Sequence, residues 1–261
     1  MPEGDTVYLS ATRLNRAMAG AHLTNSDFRV PQYATVDLSD RRVTEITSLG
    51  KHMFWRFDGD LSLHTHFKLE GSWHLYRKGE RWRSPGWQAR VVLTTERWTA
   101  VGFNIPVIDL AARDEESGFV EHLGPDPLRN WDAEEALKRL SSDPDRPFSD
   151  AIVDQRNIAG LGNVFKCEIC FLRGVNPWTP VGMAGDLEGA VNLAKSLMDT
   201  SIRLGRRVTT GDSRPGGRVW VYGRRGKPCR RCGTTIERSE PATSSEQVTY
   251  WCPNCQPALD S

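Results

Sequence analysis

Four cysteines toward the C-terminal end stand as two Cys-x-x-Cys pairs, Cys229-Arg-Arg-Cys232 and Cys252-Pro-Asn-Cys255, with nineteen residues between them. Thiolates at that spacing converge on one ion in tetrahedral coordination, at metal–sulfur distances of about 2.3 Å, so a single structural Zn2+ per chain is expected. The enclosed segment carries two short β-prone runs, Thr234–Ile236 and Val248–Trp251, expected to pair as a hairpin. Some thirty residues hold too little apolar matter to fold without a metal. At the opposite end the chain opens Met1-Pro2-Glu3-Gly4. Once Met1 is removed, Pro2 presents a secondary amine, and an α-amino group is unprotonated often enough near neutrality to act as a nucleophile. Glu3 beside it is a proton donor or acceptor within reach. The remaining pair, Cys167 and Cys170, sits among apolar neighbours in Val164-Phe-Lys-Cys-Glu-Ile-Cys-Phe-Leu172 and reads as core packing.

The formal net charge is only +1, from 34 Lys and Arg against 33 Asp and Glu. Its distribution is uneven. Between Arg203 and Arg231 ten basic residues stand against one acid, Asp212, so that segment is +9 and the rest of the chain is acidic. A block this basic is an electrostatic footprint for a polyphosphate. Hydrophobic residues at 38% and charged residues at 26% exclude a disordered or fibrous chain. No apolar run approaches the roughly 20 residues needed to span a bilayer, and no leader pattern opens the sequence. A cytoplasmic chain without a membrane partner is expected.

The elements that must hold these groups follow from periodicity. Val7, Ala11, Leu14 and Met18 recur at helical spacing, and Gly20 supplies a stop. From about residue 43 to 103 short runs such as Leu61–Phe67 and Ala89–Thr95, separated by Gly59, Gly79, Pro85 and Gly86, predict an antiparallel sandwich or barrel. His122-Leu-Gly-Pro-Asp-Pro-Leu128 reads as a linker. Asp186 is placed to cap a helix with the apolar face Leu187, Ala190, Val191, Ala194, Leu197 and Met198, closing at Gly205. Thr209–Gly217 is expected to be a mobile loop.

Three separated segments resemble the formamidopyrimidine-DNA glycosylase / endonuclease VIII family, closest to its endonuclease VIII branch of bacterial type. Met1-Pro-Glu-Gly4 is similar to the family's start, Asn157-Ile-Ala-Gly-Leu-Gly-Asn163 to its helix-two-turns-helix, and Val221–Gly233 with Tyr250–Cys255 to its zinc finger. The resemblance implies an α+β multidomain fold: an N-terminal antiparallel β-sandwich with flanking helices over 1–121, a linker over 122–131, a helical helix-two-turns-helix domain over 132–224, and a zinc-finger β-hairpin over 225–261. It implies a monomeric bifunctional DNA glycosylase and abasic-site lyase of base excision repair, working in the bacterial cytosol and nucleoid. In that reading Pro2 attacks the sugar C1′, Glu3 protonates the opening ring, and Lys51 contacts the phosphate and assists elimination. Leu69 is the apolar wedge that fills the gap left by an extruded base, and Lys68 is a polar DNA contact beside it. His122, Asn163 and Gln247 fall where the family contacts DNA, and Lys166 adds charge beside Asn163.

Two positions depart from the family pattern. Asp5-Thr6 stands where Pro-Glu is usual, and Gln247 occupies the place of an arginine five residues before the third zinc cysteine. An amide lacks the charge a guanidinium gives to a phosphate, which bears on duplex clamping and on the last elimination. Damaged DNA is the expected partner, with a preference for single-stranded or bubble DNA. Val101-Gly-Phe-Asn-Ile-Pro106 lacks the Asp-Pro-Arg-Arg-Phe-Gly of the oxidised-purine branch, which points to oxidised pyrimidines. The competing reading, from another class, is a catalytically idle zinc-finger protein that binds damaged or irregular DNA.

Overall fold

The computed structural model describes residues 2–240 and 247–258. Backbone contacts divide the chain into two compact units, Met1–Glu121 and His122–Ser261.

In the first unit α1 (Gly4–Met18) precedes eight strands: β1 (Leu23–Phe28), β2 (Val43–Leu49), β3 (His52–Phe57), β4 (Leu61–His66), β5 (Ser72–Arg77), β6 (Ala89–Thr95), β7 (Trp98–Phe103) and β8 (Val107–Ala112). They form two four-stranded antiparallel sheets, ordered β1-β6-β7-β5 and β2-β3-β4-β8. The core receives Met53, Trp55, Phe57 and Leu63 from one sheet and Leu23, Val91, Leu93 and Ala100 from the other. The periodic face of α1, Val7, Ala11, Leu14 and Met18, enters the same core, and Gly20 follows it in the left-handed region at φ 84.

In β4 both faces are buried, although the residues alternate apolar and polar. The cause is a short helix, α2 (Glu116–Val120), packed on the outer face. Its Glu116 carboxylate takes a fork from Arg56, with Nη2–Oε2 at 2.6 Å and Nε–Oε1 at 3.0 Å, and accepts the Ser62 hydroxyl. Phe119 stacks on the His64 ring at 4.3 Å.

The second unit contains α3 (Ala133–Leu140), α4 (Phe148–Val153), α5 (Asn163–Arg173), α6 (Leu187–Leu204), β9 (Glu237–Arg238) and β10 (Tyr250–Trp251). The capped helix read from the sequence is α6: the Asp186 carboxylate accepts from Gly189 N at 2.7 Å, and Gly205 closes it at φ 64. The stretch read as a linker is folded in. Gly124 N donates to Gln155 O at 2.8 Å, Pro125 O accepts from Ala159 N, and Asp126 is buried. The hairpin is shorter and shifted from the runs predicted. Tyr250 pairs with Arg238 and Trp251 with Glu237, while Thr234 and Ile236 are consumed in bonds to Cys229 and Lys227 around the first cysteine pair.

Burial raises the proton affinity of Glu116, but the hydrogen bonds from Arg56 and Ser62 outweigh it and hold the carboxyl below its ordinary range. A depressed carboxyl stabilises the fold above its unfolded pKa and loses that contribution as pH falls through its folded value. Glu116→Gln should therefore cost about 1.5–3 kcal/mol at pH 7, and the deficit should shrink below about pH 4. Denaturant titrations of both proteins at pH 7 and in acid measure it.

Candidate active site and metal centre

Pro2 lies half-buried immediately before α1, and Glu3, the N-cap residue of that helix, is fully buried. Thr6 is exposed and donates its hydroxyl and its backbone N–H to the Asp5 carboxylate, which is buried. The first turn thus keeps a second carboxylate one position earlier than the family pattern, and the departure at Thr6 does not empty the turn of acid. Met1 lies outside the described residues.

Gly50 and Lys51 make the two-residue connection between β2 and β3, with Leu49 opposite His52 and Gly50 at φ 56. On the neighbouring strand His66 pairs with His52, and after it the chain turns sharply through Phe67–Gly71. Phe67 is buried as the anchor of this turn, and Gly71 N closes on Phe67 O at 2.8 Å. A side chain at 71 would meet that oxygen at 2.6 Å, so glycine is required there. Lys68 takes the left-handed conformation, φ 49, and Leu69 is pushed out, 67% exposed. Lys68 N donates to His66 Nδ1 at 3.0 Å, so that nitrogen carries no proton. Burial first, then the positive fields of Lys68 and Lys51, push the His66 imidazole down to about 4. Lys51, His66 and Lys68 are therefore one electrostatic group, cationic through its lysines at neutral pH.

Behind it lies a chain of side chains not singled out from the sequence. His52 Nδ1 meets His64 Nε2 at 2.9 Å, and His64 Nδ1 meets Asp109 at 3.0 Å. The signal was present as histidines at alternate positions in Leu61-Ser-Leu-His-Thr-His66; Asp109 belongs to β8 and becomes a partner only through strand pairing.

In the second unit the loop between α4 and α5 is clamped by Gln155. Its Nε2 donates to Val153 O and Leu161 O, and its Oε1 accepts from Gly160 N. Asn163 opens α5 at 4% exposure, its Nδ2 donating to Val248 O at 2.8 Å. Lys166, read as added charge for a ligand, is turned inward instead: its ammonium bonds Thr249 Oγ1 at 2.9 Å and Gln247 O at 3.4 Å. Gln247 itself is exposed, as is His122. Arg238, across the hairpin, lies 3.8 Å from the Glu240 carboxylate. Of the basic segment, Arg224 spends its guanidinium on Trp220 O and Pro228 O, and Arg231 lies over the Phe171 ring at 4.5 Å. Part of the +9 is thus structural. The Thr209–Gly217 loop is closed at its base by Thr209 N to Arg218 O and Thr210 Oγ1 to Gly217 O.

Glu168, also missed from the sequence, is fully buried in α5 and accepts the backbone N–H groups of Trp220, Val221 and Tyr222 at 2.8–3.0 Å. Cys167 and Cys170 are buried as core residues, and desolvation pushes the Cys170 thiol up. The other four cysteines converge. Their sulfurs lie within 4.8 Å of one another, with Cys229–Cys255 at 3.9 Å and Cys232–Cys252 at 3.5 Å. A tetrahedron with 2.3 Å metal–sulfur bonds has edges of about 3.8 Å, so the sulfur cage fits a metal ion of that size.

Residues 1–105 match the model of the formamidopyrimidine-DNA glycosylase N-terminal domain. A probable endonuclease 8 2 of Streptomyces coelicolor is 48% identical, over 98% of this chain and 94% of that protein. The DNA-(apurinic or apyrimidinic site) lyase Nei2 of Mycolicibacterium smegmatis is 44% identical, over 99% and 100%. The chain belongs to the formamidopyrimidine-DNA glycosylase / endonuclease VIII family. Within it the relatives place it in the endonuclease VIII branch, as an enzyme of the glycosylase and abasic-site lyase class. Endonuclease 8 of Escherichia coli is more distant, 32% identical over 98% of this chain and all of its own length. In fold, the chain superposes on a Lactococcus lactis formamidopyrimidine-DNA glycosylase solved with DNA containing N7-benzyl-Fapy-dG, at TM-score 0.81 and 18% identity over 98% of this chain and 100% of that one.

The sulfur cage leads to a direct expectation. Freshly purified protein should carry one equivalent of a tightly held divalent metal by elemental analysis, and Cys252→Ser should lower it to a small fraction of that. Stripping the metal should unfold the hairpin while leaving the first unit folded, read as a partial loss of far-UV signal.

Proposed function

We propose that this enzyme removes oxidised pyrimidines from DNA through Pro2 and then cuts the strand. The observation that carries the reading is the N-terminal turn, where Pro2 adjoins a glutamate shut off from bulk water in a chain of this family. With Met1 removed, the Pro2 nitrogen attacks C1′, the base leaves with the electrons of its bond, and the ring opens as Glu3 delivers a proton to the ring oxygen. The resulting iminium acidifies the C2′–H bond; the carboxylate left on Glu3 takes that proton, the C–H electrons form the double bond, and the strand phosphate departs with the C3′–O pair. Lys51, grouped with Lys68 at the turn beside Leu69, offers the charge that a departing phosphate needs. Leu69, standing out on a turn pinned by Phe67 and Gly71, has the form of a wedge for the vacated stack. The turn after β7 supports a pyrimidine preference: Ile105 is buried and only Asn104 and Pro106 remain at the surface, so no second aromatic or cationic wedge is offered there.

In the second unit the proposed DNA contacts are the exposed Gln247 and, at the start of α5, Asn163, whose buried amide must give up its bond to Val248 O to reach a phosphate, with His122 as a peripheral one. Zinc is the metal that a four-thiolate tetrahedral cage favours, and its part is to hold the hairpin that presents Gln247. With an amide in place of a guanidinium, the enzyme should favour lesions in single-stranded or bubble DNA over intact duplex. Gln247→Arg should raise single-turnover excision on duplex by about 10- to 100-fold, the worth of one charge-assisted phosphate contact, and change single-strand rates little. Unchanged rates on both substrates would remove the finger from this account.

The catalytic reading is tested by borohydride trapping on abasic-site DNA. The natural protein should give a covalent adduct, and Pro2→Gly should cut its yield at least 10-fold while DNA binding persists. The idle-binder reading predicts binding with no adduct at all.

A further inference from the structure

Two of the large apolar side chains are left in water far more than the rest of the first unit: Leu69 at 67% and Trp87 at 74%. Strand pairing brings both to the same end of the same sheet. Ser72, the first residue of β5, pairs with Phe103, the last of β7, and Ala89, the first of β6, pairs with that same Phe103. Leu69 stands in the turn that enters β5, and Trp87 in the single 3-10 turn, Gly86–Gln88, that enters β6. The strand starts that these two turns feed, Ser72 and Ala89, are separated by one strand, which at about 4.8 Å per strand step sets them about 10 Å apart. A strand that reaches from one turn to the other therefore spans a few nucleotides, since each advances at least about 3.4 Å.

The turn carrying Trp87 is held rigid. Gln88 N donates to Pro85 O at 3.0 Å, Asn104 N donates to Gln88 O at 2.9 Å, and Arg29 Nη1 donates to Gly86 O at 3.1 Å. An indole left in water on a fixed support spends little entropy when a flat partner covers it. The surroundings are cationic on both sides. Lys68 flanks Leu69, and beyond Trp87 come Arg29, ion-paired at 2.7 Å with Asp27, and the half-buried Arg90. A solvated aromatic face with basic residues on the neighbouring turn and strand is a composition that can grip single-stranded nucleic acid, with a base on the ring and phosphates on the cations.

We propose that Trp87 is a stacking platform for a base a few nucleotides from the lesion, on unpaired DNA that continues past Leu69. The proposal rests on the reading of Leu69 as the wedge. It gives the preference for single strands a source in the first unit, independent of Gln247, because a base still paired in a duplex cannot lie on the ring.

The test is binding of a single-stranded oligonucleotide carrying one tetrahydrofuran abasic analogue, which requires no chemistry at Pro2. Trp87→Ala should weaken binding about 5- to 100-fold, the range measured for loss of one base–aromatic stack, and Trp87→Phe should restore most of it. Trimming the oligonucleotide to one nucleotide on each side of the analogue should abolish the difference between natural protein and Trp87→Ala. The same Trp87 effect is expected in a Pro2→Gly background, so loss of the covalent adduct and loss of the stack are separate results. Equal affinity of Trp87→Ala and natural protein for the long oligonucleotide overturns the proposal, as does a Trp87 effect that persists undiminished on the trimmed one, which would mark a structural or protein-docking role.

Discussion

The second unit depends on the polar side chains buried along α5. Polar groups withdrawn from water must find partners, and in this helix several of those partners lie in the segments that lead to the cysteines. Asn163 bonds Val248 O, Lys166 bonds Thr249, and the Cys167 sulfur accepts from Tyr250 N, so the strand before the second cysteine pair is fixed to the helix. Glu168 receives three successive backbone N–H groups from Trp220, Val221 and Tyr222, so the segment before the first pair is fixed as well. The four sulfurs close the loop between these two attachments. A metal there and the helix are two ends of one constraint, and Gln247 takes its place from both: its carbonyl is held by Lys166 and the segment that follows it by the cage.

The first unit solves a different problem, that of displaying side chains in strained or solvated states at one end of a sandwich. The supports are rigid. Gly71 allows the closure on Phe67 that throws Leu69 outward, and a histidine held neutral by burial serves as acceptor for the turn's backbone. Behind that histidine, the His52–His64–Asp109 chain and the Arg56–Glu116 fork satisfy the polar face of the sheet beneath α2. The working edge is mounted on buried polar networks that need every member, which is the physical reason a loss at Glu116, remote from Pro2, is felt in stability.

Local chemistry was legible in the sequence, and long-range pairing was not. The bounds of α6 follow from Asp186 and Gly205, because capping is decided within four residues; β6 follows from a run that is β-branched and apolar apart from Arg90. The convergence of Cys229, Cys232, Cys252 and Cys255 was readable from spacing alone. The first arm of the hairpin was placed three residues early, because Thr234–Ile236 is β-prone yet taken up by the turn around the cysteines, while the second arm, Tyr250–Trp251, lies within the run predicted for it. Lys166 read as a surface cation and Glu168 went unremarked, since each acquires its partners only from residues 41 to 83 positions away. The burial of Ser62 and His64 depended on α2, a five-residue helix too short to announce itself by periodicity.

The account stands on a free Pro2 amine as the group that joins enzyme to sugar. The most direct measurement is mass spectrometry of the borohydride-reduced protein–DNA adduct after proteolysis and nuclease digestion. The account predicts a peptide that begins at Pro2, lacks Met1, and carries the reduced sugar remnant on its α-nitrogen. A remnant found on Lys51 or another lysine, or a peptide that retains Met1 in active enzyme, would contradict it.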